Sequence, residues 1–259
     1  MFKNVFTVIV CLIIILSSFT PLDVRKYRLK TIVIDAGHGG KDPGCIGKIS
    51  KESTIALQTA LELGKIISQK HSDIKVVYTR STDVFVELHD RANLANKVNA
   101  DVFISLHCNS GPPSVCGTET YTMGLSSSEQ NLEVAKRENA VILQESDYIN
   151  KYNGYDPENP ATHILLANYQ QAHIANSLLL AEKIEKQFET RVKRNSRGVR
   201  QAGLLVLWKT AMPSVLVELG FLTHTQEEKF LNSAQNRIYM ASAIYRALKE
   251  YKEELENMN

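Results

Sequence analysis

The sequence predicts a single α/β domain whose sheet is covered by helices on both faces. Strand-like and helix-like stretches alternate from Thr31 onward, and no internal repeat or Ser/Gly-rich linker divides the chain. The chain has 259 residues, of which 44% are hydrophobic and 22% are charged, as in ordinary folded proteins. A chain of this length can bury one large core, so one domain is the expected organisation.

Short apolar runs and helical spacings of apolar residues define the predicted elements. The first strand, at 31–35, is an apolar run that ends in a glycine-rich turn. After it, Ala56, Ala60 and Leu63 recur at steps of four and three, which marks one face of an amphipathic helix. The predicted strands are 31–35, 74–79, 101–106, 117–123, 199–208 and 214–219, and the predicted helices include 56–67, 87–99, 174–188 and 234–248.

Residues 125–162 interrupt this alternation. A polar, helix-like piece at 128–145 precedes a stretch at 148–160 that is rich in Tyr, Asn, Asp and Pro. Irregular segments of this length inside a compact domain are usually functional or mobile. We therefore expect this insertion either to regulate a site or to shape a binding groove.

The first 20 residues resemble an export sequence. Lys3 precedes a 12-residue apolar run from Val5 to Leu16, which is short for a membrane span. This layout predicts a signal peptide and therefore a periplasmic or cell-envelope location. No Ala-x-Ala cleavage site follows the run, so an uncleaved N-terminal anchor is the alternative, and only then would the protein contact a membrane.

Charge and cysteine content exclude other classes of function. Thirty Lys and Arg against 28 Asp and Glu give a net charge of +2, too balanced to draw the protein to nucleic acid. The four cysteines form no CxxC pair, so neither a zinc ribbon nor a thioredoxin motif is present. We expect Cys45, Cys108 and Cys116 to be small packing residues.

Two histidines and two glutamates are the candidate site residues. His38 follows the first strand, His107 ends the third, and Glu218 lies near the carboxyl end of the last. Ligands of open α/β sheets bind beyond the carboxyl ends of the strands, so these side chains are expected to converge. Glu52 starts the helix after the His38 loop and faces the same crevice.

This combination of residues predicts a catalytic zinc site. His38, Glu52 and His107 would bind the metal and leave a fourth position for water. Glu218, set among apolar residues, would have a raised pKa and serve as the general base. Each residue alone has a simpler structural explanation, but an unpaired Glu inside an apolar strand carries a desolvation cost that asks for a cation or a reacting proton.

At these positions the chain resembles the zinc-dependent N-acetylmuramoyl-L-alanine amidases of type 3, which act in bacterial cell-wall turnover. Four separated motifs carry the resemblance between about Thr31 and Tyr251. They are Ile34–Gly44 (IDAGHGGKDPG), Lys51-Glu52, Arg91–Asn109 (from RAN to ADVFISLHCN) and Met212–Leu222 (MPSVLVELGFL).

The resemblance implies a mixed, roughly six-stranded sheet, a Zn²⁺ ion held by His38, Glu52 and His107, and Glu218 as the catalytic glutamate. The implied substrate is peptidoglycan, cleaved between N-acetylmuramic acid and L-alanine. In some relatives a helix in the 125–162 region plugs the zinc site until an activator protein removes it. Here Glu129, Glu133, Glu138 and Glu145 lie on the corresponding helix, and Glu133 and Glu138 are the candidate inhibitory ligands.

Two other functions remain open from the sequence. A zinc carboxypeptidase acting on stem peptides could use a similar set of ligands, but it should also offer a cation for the free carboxylate. A non-catalytic peptidoglycan-binding relative is the other alternative, and the retained Glu218 argues against it.

Overall fold

The computed structural model describes residues 28–126, 128–167 and 172–257. The expected signal peptide or anchor at 1–20 lies outside these residues. Within the described ranges, no helix has both the length and the apolar character needed to cross a membrane.

A mixed sheet forms the centre of the described structure. Its strands are β1 (Thr31–Ala36), β2 (Lys75–Tyr78), β3 (Val102–Asn109), β4 (Thr118–Met123), β5 (Ser196–Ala202) and β6 (Ser214–Phe221). The order is β2-β1-β3-β6-β4-β5, with β4 antiparallel to β6 and every other neighbouring pair parallel. The expected mixed six-stranded α/β fold is therefore confirmed.

Helices cover both faces of this sheet. They are α1 (Glu52–Lys70), α2 (Leu88–Lys97), α3 (Glu129–Asn139), α4 (Tyr148–Lys151), α5 (Pro160–Ala167), α6 (Ile174–Gln187), α7 (Leu205–Trp208), α8 (Thr225–Asn232) and α9 (Ala234–Asn257). One core layer lies between the sheet and α1, α6 and α9, and the other lies beneath α2, α3 and α7. Because side chains alternate along a strand, Ile104 and Leu106 enter the first layer while Phe103 enters the second.

The predicted strand at 199–208 is wrong in its second half. The strand ends at Ala202, and Leu205–Trp208 forms the short helix α7, in which the Leu207 amide donates to the Leu204 carbonyl. All four residues of α7 are buried. A short apolar run that is buried on every side carries no periodicity, so the sequence cannot distinguish a helix from a strand there.

The insertion at 125–162 is more ordered than its composition predicts. Helix α3 begins after Ser128, whose hydroxyl accepts from the Asn131 amide, and a 3₁₀ turn at Ala140–Gln144 continues it. Val134 and Ala135 are buried in the second core layer, so α3 packs on the domain rather than extending into solvent.

Asn139, the last residue of α3, fixes the end of that helix to the domain. Its side-chain amide donates to the Gly203 carbonyl at 2.7 Å and to the Tyr155 hydroxyl at 2.6 Å. Its side-chain oxygen accepts from the Leu205 amide at 2.9 Å. These buried hydrogen bonds set the position of the residue before it, Glu138.

Candidate active site

A strained loop places the first histidine of the site. His38 has a φ of 59°, in the left-handed region that non-glycine residues seldom adopt. Two buried arginines hold this loop, since Arg91 donates to the carbonyls of Ala36 and His38 and Arg80 donates to that of Gly37. Arg91 therefore joins α2 to the sheet, the structural role that its place on a helix indicates.

His38, Glu52 and His107 converge as expected. His38 Nε2 lies 3.1 Å from Glu52 Oε1, which lies 3.0 Å from His107 Nδ1. The ring centroids of the two histidines are 4.8 Å apart, and all three residues are buried. The loop after β1, the start of α1 and the end of β3 thus bring together residues that are far apart in sequence.

Hydrogen bonds orient these side chains. His38 Nδ1 lies 2.7 Å from the carboxylate of Asp42, which directs Nε2 towards Glu52. The Glu52 carboxylate accepts from the backbone amides of Cys45 and Cys108. Asp42 and these two backbone amides therefore fix the orientation of His38 and Glu52.

Glu138 of α3 completes a group of four. Its Oε2 lies 2.9 Å from His107 Nδ1 and 3.4 Å from His38 Nε2, and one donor atom from each of the four residues lies within 4.8 Å of all the others. Of the four glutamates considered from the sequence, Glu138 alone reaches this group. Glu133 has a 60% exposed side chain and pairs with Lys136, while Glu129 is exposed.

Four of the six separations among these donors are close to those around a tetrahedral zinc ion. Bonds of about 2.0–2.1 Å at tetrahedral angles put neighbouring donors roughly 3.3 Å apart, and the contacts here are 2.9, 3.0, 3.1 and 3.4 Å. His38 Nε2 and Glu138 Oε2 are buried without a hydrogen-bond partner among the described residues. Buried polar atoms left unpaired around one point are what a metal site requires.

The electrostatics of this group favour positive charge. Burial opposes the imidazolium forms, yet the Glu52 carboxylate holds the pKa of His38 well above its usual value, and that of Glu138 raises the pKa of His107 to about 9. Burial opposes ionisation of Glu52 too, but His38 lowers its pKa to about 2. A cation between these side chains would gain from the same attraction.

Glu218 lies one strand away from His107, its direct neighbour in the β3–β6 register. It is fully buried, and neither carboxylate oxygen has a hydrogen-bond partner among the described residues. Burial and the nearby carboxylates of Glu138 and Glu52 raise the pKa of Glu218 well above its usual value. A terminal nitrogen of Arg137 of α3 lies 4.0 Å from its Oε1.

The row of functional side chains continues past Glu218. Glu119 on β4 lies directly opposite Glu218 and accepts from Asn109 and Tyr121 at 2.9 Å each and from Arg197 at 2.8 Å. Sequence reasoning gave no role to Glu119, Arg197 or Asp42. Only Asp42 had a local signal, its position four residues after His38, since the others join the site through sheet register.

A second acidic and histidine group lies beside the insertion. Glu87, His89 and Glu145 have donor atoms close enough to hold an ion. Glu145, however, accepts from the Leu88 amide and the Tyr152 hydroxyl, and Glu87 pairs with Lys151 at 2.5 Å. These protein donors already satisfy the carboxylates, so the group ties the insertion to the start of α2.

Gly37→Ala is expected to weaken zinc binding by about tenfold. A Cβ at Gly37 would lie 2.4 Å from Nε2 of His107, so the imidazole must move. Titration with zinc against a chelating dye measures the change. Gly154→Ala is the control, because it imposes a positive φ on alanine at a place where no atom lies within 4 Å of the new Cβ. An unchanged zinc affinity in Gly37→Ala would remove His107 from the ligand set.

Comparison with known proteins identifies the family of the chain. Residues 32–250 match the family described as N-acetylmuramoyl-L-alanine amidase. Among curated proteins, N-acetylmuramoyl-L-alanine amidase AmiA of Escherichia coli (strain K12) is 33% identical over 226 residues, which is 86% of this chain and 76% of AmiA.

Solved structures give the same result. The N-acetylmuramoyl-L-alanine amidase from Clostridium difficile 630 superposes with a TM-score of 0.65 at 27% identity, covering 88% of this chain and 98% of that one. The catalytic domain of CwlV, an N-acetylmuramoyl-L-alanine amidase from Bacillus (Paenibacillus) polymyxa var. colistinus, superposes with a TM-score of 0.61 at 30% identity, covering 86% and 98%. The chain therefore belongs to the N-acetylmuramoyl-L-alanine amidase family.

Proposed function

We propose that this protein is a zinc-dependent amidase that hydrolyses the bond between N-acetylmuramic acid and the L-alanine of peptidoglycan stem peptides. The observation that carries the proposal is the convergence of His38, Glu52 and His107 on one point, with the unpaired carboxylate of Glu218 on the adjoining strand. The activity would serve cell-wall turnover and daughter-cell separation, outside the cytoplasmic membrane.

His38, Glu52 and His107 would hold the ion. Zinc at this position supplies Lewis-acid polarisation of the scissile carbonyl and of the attacking water. Asp42 keeps the His38 ring oriented, and the two backbone amides on Glu52 keep its carboxylate in place.

Glu218 would move the proton. A raised pKa makes its carboxylate a stronger base than an ordinary glutamate, and it would accept the proton of the attacking water. The same carboxyl then donates this proton to the departing amine of L-alanine. The buried position of Glu218 on β6 limits the access of competing water to this transfer.

Helix α3 would keep the enzyme inactive. Glu138 occupies the position of a fourth metal donor, which water must take for hydrolysis, and Arg137 beside it approaches Glu218. An activator protein that displaces segment 125–162 would remove both side chains together. This assignment selects Glu138 rather than Glu133 as the inhibitory residue.

Digestion of purified peptidoglycan by the zinc-loaded protein tests the activity. New N-terminal alanine is expected, whereas a released C-terminal amino acid would indicate a carboxypeptidase, and sedimentation with the wall without products would indicate a binding protein.

His38→Ala is expected to lose the metal, measured as zinc per chain after dialysis. Stoichiometric zinc in His38→Ala would contradict the ligand set.

A further inference from the structure

His107, Glu218 and Glu119 form a row across β3, β6 and β4. At the Glu119 end of this row, two arginines share one buried carboxylate, that of Glu119. Arg197 Nε donates to Glu119 at 2.8 Å, and a terminal nitrogen of Arg200 lies 3.9 Å from the same oxygen. Glu119 is fully buried, whereas the two arginine side chains are 23% and 30% exposed. Two guanidinium groups against one carboxylate leave a net positive charge at this end of the site.

A bulge in β5 directs this charge towards the site. The β4–β5 register shifts between Thr118 and Thr120, so Glu119 faces the Arg197–Gly198 pair. Gly198 has a φ of 84°, the left-handed conformation typical of a bulge residue. Bulges reorient side chains beside functional sites, and here the bulge turns Arg197 onto Glu119.

Helix α3 covers this charge with a neutral acceptor. A terminal nitrogen of Arg197 donates to the side-chain carbonyl of Gln130 at 3.2 Å, in an exposed contact. Arg200 Nε has no hydrogen-bond partner among the described residues. Displacement of α3 would therefore leave the guanidinium groups of Arg197 and Arg200 exposed beside this row, where they could donate hydrogen bonds to a carboxylate of the substrate.

The distance from the metal site suits a stem peptide. Gln130 and Glu138 are eight residues apart on the covering helix, which is about 12 Å at 1.5 Å per residue. Three strand spacings separate β3 from β5, which is about 14 Å. An extended peptide covers this length in roughly three to four residues, so a carboxylate on the third stem residue can reach Arg197, whereas one on the second residue lies closer to the metal site.

We infer that Arg197 and Arg200 bind a free carboxylate of the stem peptide and make the enzyme selective for acidic stems. This inference rests on the proposed amidase function. It also places the stem peptide on the β5 side of the metal site and the glycan on the opposite side. The α-carboxylate of a γ-linked second-position glutamate and the side-chain carboxylate of a third-position diamino acid present the same chemistry, and matched substrates distinguish them.

Steady-state kinetics on paired soluble muramyl peptides tests the selectivity. One pair differs by carboxylate against carboxamide at the second residue, and the other by diaminopimelate against lysine at the third. In the Glu138→Ala background, Arg197→Gln is expected to lower kcat/KM about tenfold for the acidic member of one pair, mainly through KM, with little change for the neutral member. The pair that responds identifies the carboxylate.

Further variants separate binding from a structural role. Arg200→Gln leaves the Arg197–Glu119 pair intact and should also reduce the ratio of kcat/KM for the acidic member to kcat/KM for the neutral member. Arg197→Lys should keep part of the ratio that Arg197→Gln loses. Arg191→Gln removes an exposed cation elsewhere and is the control. A loss of kcat/KM that is equal for both members of each pair would overturn the inference and leave the amidase assignment standing. Failure of the zinc-loaded parent to cleave any substrate would overturn both.

Discussion

Glu218→Gln is expected to lower the rate of amide hydrolysis by about a thousandfold or more while zinc remains bound. The carboxamide has nearly the shape of the carboxylate but cannot accept the proton of the attacking water. Glu218 is not one of the four grouped donor residues, so the metal content should not change. Single-turnover release of N-terminal alanine and zinc analysis of the same sample measure both outcomes.

Thermal unfolding gives a second readout for this variant. The folded-state pKa of Glu218 is raised, so at any pH above its ordinary pKa the carboxyl group destabilises the fold, and a neutral amide removes that cost. The Tm of Glu218→Gln at pH 7 should therefore exceed that of the parent. Glu185→Gln is the control for activity. Glu185 is also buried with a raised pKa, but it accepts hydrogen bonds from hydroxyl groups away from the site. Full activity in Glu218→Gln would refute its role as the base.

Glu138→Ala is expected to raise hydrolysis by about ten- to a hundredfold in the absence of any activator. The substitution removes the carboxylate that approaches both histidines at 2.9 and 3.4 Å, so water can take its position. Glu133→Ala on the exposed face of the same helix is the matched control and should leave the rate unchanged. Initial rates on soluble muramyl peptides measure the effect.

A point substitution is sharper here than deletion of residues 128–145. The deleted segment would include Val134 and Ile142, which are buried in the second core layer, so its loss would disturb the fold as well as the site. An unchanged or lower rate in Glu138→Ala, with zinc still bound, would mean that α3 shapes the groove without inhibiting the enzyme.

Local sequence signals predicted the part of the site that lies at element boundaries. His38 and His107 follow or end recognisable strands, and Glu52 starts a helix, so the rule for carboxyl ends of parallel strands brought them together. Glu218 was identifiable because an acidic residue within an apolar strand is costly without a function.

The rest of the site depends on packing and register. The four glutamates of the 128–145 segment were equivalent in sequence, and the burial of Val134 and Ala135 on α3 decides that Glu138 faces inwards. Glu119 and Arg197 are neighbours because of a bulge in a sheet pairing that residue order alone does not specify. For the same reason the apolar residues of α7 were mistaken for strand, since burial on every side hides their helical conformation.

The three hydrogen bonds of Asn139 add to the free-energy cost of releasing α3 from the site without an activator. Net contributions of about 1 kcal/mol each make release of α3 unfavourable by roughly 3 kcal/mol from these bonds alone, and the burial of Val134 and Ala135 adds to this cost, so the open form should be under about 1% of molecules. A small residual activity should therefore persist in the resting enzyme, and the hydrogen bonds of Asn139, together with the packing of α3, would set its size.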